Sequence, residues 1–483
     1  MTDLKRKSIE TVRWTFLYQL ANYSVTFLLS IILSRLISPE EFGLTAMISI
    51  FISIANILIN SGLSSSLIRY KESSPSDYST VFYFNIGVSL SIYLVLFFSA
   101  PLIAAFYNQP KLILLTRTIT LVFVLSSFGL IQNTLLIKEL NFKKQTLINF
   151  SGLFISVIVG IVMALKGYGV YAIVGQTLSQ SACVTTLLWL TSKWRPTGFI
   201  NPESLKKLWK FGSYVLFNGI FNSIANNLDN LIIGKIFAPF TLGLFVRAKS
   251  TRAIPENIFS SVLSTTTFSI LSKLNDNFEE LKKKHLYFFR LSVFLFIPFM
   301  IGFNLASDDL ILLLYGRKWE DSIPLLKIIS FGILPNMLSA FFSQSILSYG
   351  DSRVTMKLNM LKRTVTLSLL PLGFILDIHQ FVWIFVISQF IGLGLDIYFT
   401  KQRFQTTWSD YLGNMILPLL FSILFLMAYH SLSYFNVHFS NLNALLLKLI
   451  LAASIYTGLS YFFIRNTFSD FIQLLPINSI NKK

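Results

Sequence analysis

The chain has 483 residues, of which 53% are hydrophobic and 13% charged, with a mean hydropathy of +0.64. A soluble protein carries about 25% charged residues, so this composition excludes a soluble globular class. The net charge of +18 does not point to nucleic acid, because the basic residues fall in short stretches between apolar runs, and the single cysteine, Cys183, excludes a disulfide framework or a cysteine metal site.

Apolar runs of about 20 residues recur from end to end, which predicts an all-α polytopic membrane protein of about fourteen transmembrane helices. Lys5, Arg6, Lys7 and Arg13 precede the first run, 14–37, which has no small-residue cleavage site and reads as a first spanning helix, not a signal peptide. Further spans follow at 42–64, 80–105, 112–137, 147–165 and 168–191. The next six are 209–236, 243–270, 287–306, 323–349, 357–376 and 380–400, and the last two are 412–434 and 443–464. With a cytoplasmic N-terminus the inside stretches hold 28 Lys and Arg and the outside loops eight, while Arg117, Arg247, Lys249 and Arg252 fall within spans. That asymmetry predicts both termini in the cytoplasm and an even number of helices. The chain has no G-x-x-x-x-G-K-[ST] motif, so direct ATP drive within it is excluded. No outside loop is long enough for the acid–base chemistry of a membrane glycosyltransferase or polymerase.

Charge at membrane depth is costly and usually faces a water-filled cavity or a bundle interior. Arg117, Arg247, Lys249 and Arg252, with Arg35 at an outer helix end and Arg13 at an inner one, therefore make a candidate cationic lumen for an anionic cargo. Several such cations would hold a diphosphate by charge-assisted hydrogen bonds. The bland alternatives are snorkelling, an inside anchor at Arg13, and a structural salt bridge to Asp229, which lies at the depth of Arg247 and Lys249, roughly 6–11 Å from the outer surface at 1.5 Å per residue. On a regular helix Lys249 and Arg252 are about 60° apart and Arg247 at least about 140° from either, so all three share one cavity only if the helix is irregular, for instance at Pro255. Asp229 is also the candidate for ion coupling. Gln19, Asn22, Asn56, Asn60, Asn226 and Asn227, together with Gln132 and Asn133, either contact sugar hydroxyls or bond helix to helix. His285, His379, His430 and His438 read as loop or helix-end residues whose spacing fits neither a metal site nor a proton relay. No metal and no cofactor is expected.

An internal repeat joins these observations. Ser34–Leu44 reads SRLISPEEFGL and Gly234–Leu244 reads GKIFAPFTLGL, so Arg35/Lys235, Pro39/Pro239, Gly43/Gly243 and Leu44/Leu244 match at an offset of 200. A basic residue and then a Pro-to-Gly turn into the next span recur at spans 1–2 and 7–8. This predicts a duplicated six-helix unit whose two copies share one membrane orientation, with a cargo site between them. The expected division is 1–200 for an N-terminal lobe, 201–400 for a C-terminal lobe, and 401–483 for two additional helices and a tail.

The same stretches carry a family resemblance. LSRLISPEEFGLTAM at 33–47, SGLSSSLIRYK at 61–71, STVFYFN at 79–85 and APLIAAFYNQP at 100–110 resemble the polysaccharide exporters of the multidrug/oligosaccharidyl-lipid/polysaccharide superfamily. So do LDNLIIGK at 228–235, GLFVRAKS at 243–250, ILSKLND at 270–276 and LLLYGRKWEDSIPLLK at 312–327. The resemblance covers about residues 10–400 and is most like the lipopolysaccharide and colanic-acid type. It implies two six-helix lobes in a V around a central cavity. It also implies flipping of undecaprenyl-diphosphate-linked oligosaccharide from the cytoplasmic to the outer leaflet of a bacterial plasma membrane. The expected partners are that glycolipid, membrane lipids, and a polymerase or other assembly protein. A multidrug cation antiporter of the same fold would want intramembrane carboxylates, and the major-facilitator class lacks its charged glycine-rich signature at 65–79 here.

Overall fold

The structure, a computed structural model, describes Asn22 and residues 24–60, 63–70, 73–434 and 441–463. Arg13, Gln19 and His438 of the sequence analysis lie outside these residues, as does the side chain of Asn60. Most of the described residues are helical, and none of them is in a strand. By packing the chain falls into two units, residues 1–246 and 247–483.

Unit 1 begins with α1 (Ser24–Leu36) and α2 (Pro39–Asn60). Between them Ser38 and Glu41 cap α2 reciprocally: the Glu41 amide donates to Ser38 Oγ at 3.4 Å and the Ser38 amide to Glu41 Oε2 at 3.3 Å. The short α3 (Leu63–Arg69) precedes α4 (Pro75–Tyr107), which opens on a second such box at Ser74 and Asp77. The predicted span 112–137 is two helices, α5 (Lys111–Ile119) and α6 (Leu121–Lys138). They part at Thr120, whose hydroxyl donates back to the Thr116 carbonyl at 2.7 Å, a bond that loosens a helix. Then come α7 (Phe142–Leu165), α8 (Tyr171–Thr191) and α9 (Pro202–Ile236), the last of 35 residues. The α7–α8 turn is tied to α2 because the Val170 amide donates to Glu41 Oε1 at 3.2 Å. The stretch from α8 to α9 is fixed across the start of α4 by bonds from the Thr197 amide to Ser79 Oγ and from the Asn201 amide to Thr80 Oγ1, each 2.9 Å. A core of Leu63, Leu67, Val81, Phe82, Ile131 and Leu208 lies beneath it, flanked by Trp189 and Trp194.

Helix α10 (Pro239–Leu271) runs unbroken through Pro255 and carries the packing boundary between Val246 and Arg247. Unit 2 continues with α11 (Phe278–Leu305), α12 (Ser307–Tyr315), α13 (Ser322–Ser330), α14 (Ile333–Ser348), α15 (Ser352–Leu369), α16 (Ile378–Phe404), α17 (Trp408–Tyr434) and α18 (Asn441–Phe463). Its core is aromatic: Phe289, Phe296, Phe341, Phe342 and Tyr411 are each at most 1% exposed. Among the described residues eight helical stretches have the length and apolarity to cross a membrane. Helices α9 and α10, which coincide with two further predicted spans, are more polar, and most of the predicted span 14–37 before Ser24 lies outside the described residues.

The repeated motif has a structural counterpart within unit 1. A Cβ built on Gly43 would collide with the Pro239 carbonyl oxygen, and one built on Gly243 would collide with the Pro39 carbonyl oxygen. Each would also lie 3.1 Å from the other glycine's amide nitrogen. Matching residues of the two copies thus meet reciprocally, as across a local two-fold axis, with backbone against backbone where only glycine fits. The obstructing atoms are carbonyls and cannot swing aside like a side chain. Gly43→Ala and Gly243→Ala are each expected to destabilise the protein by about 2 kcal/mol, read as a lowered unfolding midpoint in detergent. Gly87→Ala in α4, where a Cβ meets nothing within 4 Å, is the control; an equal effect at all three sites would refute the close approach.

Candidate functional site

The charged and polar residues inside the helices determine what this protein can hold, and each unit has its own set. In unit 1 the polar level of α9 packs on α2. Asn227 Nδ2 donates to the Ser223 carbonyl at 2.9 Å and to Ser53 Oγ at 3.4 Å, and Ser49 Oγ donates to Asn227 Oδ1 at 3.4 Å. Asn230 Nδ2 donates to Ser49 Oγ at 3.3 Å. Ser49 and Ser53 are one helical turn apart, so this is an interhelical seam of small and amide side chains. Asn226, one turn before Asn230 on α9, is exposed, as is Asn56 on α2, while Asn22 and Asp229 are half-buried. Asn133 accepts from Gln145 Nε2 at 2.9 Å, between α6 and α7. Of the predicted polar-cavity residues, Asn227 is thus bonded in the seam, Asn56 and Asn226 are exposed and Asn22 is half-buried.

Of the predicted cations in unit 1, Arg35 is exposed at the end of α1. Arg117 turns toward α4: its guanidinium lies 4.2 Å from the Phe97 ring centroid and its Nε donates to the Phe97 carbonyl at 3.2 Å. That carbonyl and ring hold the charge within α4 and α5 by a cation–π contact.

In unit 2 the α10 cations have different neighbours. Arg247 is 5% exposed, with its guanidinium 4.8 Å from the Tyr315 ring centroid and 5.1 Å from that of Trp319. Thr251, one turn on, shares a 3.0 Å hydroxyl–hydroxyl bond with Tyr315 and so sets that ring. Arg252 reaches α13 instead, donating from Nη1 to the Ile329 carbonyl at 2.8 Å, and Gly332 leaves room for its guanidinium. Its Nε lies 3.4 Å from Glu256 Oε1, and Glu256 accepts from Asn336 Nδ2 at 3.3 Å. Arg247 and Arg252 are thus not gathered on one point of unit 2, as their angular separation on a continuous helix requires. Lys249, between them, is half-buried.

Three features were missed from the sequence. Glu256 supplies Arg252 with a counter-charge one turn away, a pairing an i, i+4 scan would have found. Lys362 on α15 and Asp396 on α16 form an ion pair of 2.9 Å with Asp396 fully buried, and Lys362 also donates to Ser339 Oγ at 2.7 Å. Both lie inside predicted spans, so charge at membrane depth was the available signal. His285 is not at a loop or helix end. Helix α11 starts at Phe278, several residues before the predicted span, which places His285 fully buried between Ser345 Oγ at 3.1 Å and Tyr411 Oη at 3.0 Å. Among the described residues no cluster of three metal-ligating side chains occurs.

The family model described as polysaccharide biosynthesis protein matches residues 32–324, more than half of the chain. The chain belongs to that polysaccharide biosynthesis protein family. Its relatives match at low identity over most of their length. It is 24% identical over 481 residues to the teichuronic acid biosynthesis protein TuaB of Bacillus subtilis, covering 96% of each chain. It is 23% identical over 374 residues to the lipopolysaccharide biosynthesis protein WzxC of Escherichia coli, covering 77% of this chain and 76% of that one. Among solved structures, the lipid II flippase MurJ in an inward closed conformation matches with a TM-score of 0.73 and 14% identity, over 93% of this chain and 99% of that one. An inward-facing multidrug MATE transporter matches at 0.62 and 15% identity, over 79% and 94%. The chain therefore shares its fold with these two solved structures, as the resemblance implied. The apolar helices of this family member are those of a multi-pass membrane protein.

The Arg252–Glu256 pair, with side chains 10% and 13% exposed, is testable by a double-mutant cycle. Glu256→Gln leaves the guanidinium without its carboxylate and is expected to cost about 3 kcal/mol of stability. Arg252→Gln combined with it should recover part of that loss in the unfolding midpoint. Additive effects of the two substitutions would show that the pair does not interact.

Proposed function

We propose that this protein flips undecaprenyl-diphosphate-linked oligosaccharide from the cytoplasmic to the outer leaflet of a bacterial plasma membrane. The units would serve the export of a lipopolysaccharide, capsule or exopolysaccharide. What supports this most is a polysaccharide-biosynthesis sequence on the fold of a flippase for another lipid-linked precursor. The excess of basic residues in alternate loops supports cytoplasmic termini. In this reading the duplicated lobes, 1–200 and 201–400, rock to give alternating access. Arg13, Arg35, Arg117, Arg247, Lys249 and Arg252 contribute the positive potential that draws the diphosphate, and Gln19, Asn22, Asn56, Asn60, Asn226 and Asn227 meet sugar hydroxyls. Exposed Asn226 suits that role better than Asn227, whose amide is used in the α2–α9 seam. Asp229 remains the proposed coupling carboxylate. A polymerase would take the flipped unit at the outer face.

The test is the sidedness of the glycolipid in a deletion strain, probed with a glycosidase or lectin that cannot cross the membrane. A complete glycolipid that accumulates but stays inaccessible is the expected result. Complementation with Arg117→Ala or Arg252→Ala should restore less than a tenth of wild-type accessibility if each removes one charge-assisted contact worth about 1.5 kcal/mol. A glycolipid that is accessible but not lengthened would return the polymerase reading. Unchanged glycolipid with raised drug sensitivity would favour the multidrug antiporter.

A further inference from the structure

Unit 2 contains a helix broken within a membrane-crossing stretch, and a charged pair stands at the break. The apolar stretch Ser322–Ser348 is long enough to cross a membrane, yet it parts at Phe331–Gly332 into α13 and α14. Pro335 accounts for the break, since it has no amide to offer the Phe331 carbonyl four residues earlier and its ring crowds that carbonyl. Backbone opened inside a membrane has to be satisfied by protein. Asn304 from α11 donates to the Lys327 carbonyl at 2.7 Å, and Arg252 from α10 donates to the Ile329 carbonyl at 2.8 Å. Gly332 admits the guanidinium, because a Cβ there would lie 2.6 Å from Arg252 Nη1.

This contact uses one corner of the guanidinium. Nη1 is bonded to Ile329. Nε is sealed from the surface and has no hydrogen-bond partner. Nη2 also forms no hydrogen bond among the described residues, but it is not sealed, and the side chain keeps 10% of its area exposed. Nη2 and Nε together form the edge of a guanidinium that takes two oxygens of one phosphate. Glu256 Oε1 stands over Nε at 3.4 Å, close enough to neutralise the charge but without a hydrogen bond. The same oxygen accepts from Asn336 Nδ2 at 3.3 Å, so the carboxylate is shared between α10 and α14. It is a loosely attached cover on one half of a phosphate fork. The groups that the neighbouring helices present to the pair are uncharged: the Ile329 carbonyl on α13, Asn336 on α14, and Gln389 on α16, which meets Arg252 over Gly332. Lys249, one turn before Arg252 on the same stripe of α10, is the next cation along it.

We propose that Arg252 and Glu256 form a phosphate site that binds a proton together with its anion. A phosphate that meets Nη2 completes its second bond only by moving Glu256 off Nε. The displaced carboxylate then lies beside an anion instead of a cation, with little water to carry its charge, and a proton from water adds to it. Resting on the diphosphate reading of Arg252, this adds that each cargo molecule enters with about one proton, distinct from any ion handled at Asp229 in unit 1.

The test is calorimetric titration of the full chain in nanodiscs with geranylgeranyl diphosphate, an isoprenyl diphosphate without sugar, at neutral pH in two buffers of different ionisation enthalpy. The difference between buffers gives the protons taken up per ligand, and the ligand's own titration is common to wild type and variants. Wild type should take up about one proton more than Glu256→Gln. Its affinity should also fall as pH rises, more steeply than that of Glu256→Gln by up to about tenfold per pH unit, because a complex that gains a proton is favoured at low pH. Arg252→Gln should weaken binding at least about tenfold. If Glu256→Gln does not fold, Asn336→Leu keeps both charges and keeps the test: without the amide the carboxylate closes on Nε, and binding should weaken about tenfold. Equal proton uptake by wild type and Glu256→Gln overturns the proposal, as does unchanged binding by Asn336→Leu where Glu256→Gln does not fold. Absence of binding by wild type overturns it too, whereas the flippase reading stands or falls separately on the sidedness of the glycolipid.

Discussion

A full charge inside an apolar helix has to find compensation within the protein, because the surrounding hydrocarbon offers none. That constraint governs how this chain places its ionisable residues. Each solution is different: the rings of Tyr315 and Trp319 for Arg247, Glu256 and a carbonyl for Arg252, the Phe97 carbonyl and ring for Arg117, and Asp396 for Lys362. Aromatic faces and backbone carbonyls stabilise a cation without cancelling its charge, whereas a carboxylate does cancel it. The attraction such a protein exerts on a polyanion thus depends on which compensation each cation has, more than on how many cations there are.

The same economy appears in the uncharged polar residues. Serines at one-turn spacing on α2 face amides of α9, so that side chains too polar for lipid bond one another and allow the helices to approach. Capping boxes at Ser38–Glu41 and Ser74–Asp77 satisfy helix starts that water reaches only partly. Glu41 has a second role, since its other oxygen holds the α7–α8 turn. One carboxylate thereby sets both the start of α2 and the position of the next helical hairpin.

Much of the architecture was legible in the sequence because the bilayer imposes a length and a hydropathy on every span. Helix ends were less legible. Helix α11 begins nine residues before the predicted 287, because Asn277 caps a polar first turn that extends beyond the apolar stretch, and this hid the burial of His285. Breaks within spans, at Thr120 and at Phe331–Gly332, left no hydropathy signal. The candidate cations were found from charge at membrane depth, but their directions were not. The aromatic residues that meet Arg247 come from α12 and the turn after it, some seventy positions away. Sequence spacing on one helix fixes angles, and only packing says what stands at each angle. The Lys362–Asp396 pair shows the reverse case, with each partner legible alone and the bond visible only when α15 meets α16.

The reciprocal contact of Gly43 and Gly243 has a bearing on how this chain can change over time. A motif that rests against its own duplicate is bound by self-complementarity, as in an isologous dimer whose two subunits were later joined. Neither copy can acquire a side chain at that point without the other's carbonyl obstructing it. The residues around this contact are free to diverge, but Gly43 and Gly243 each hold the other to glycine, a constraint that no substitution at one position alone can relieve.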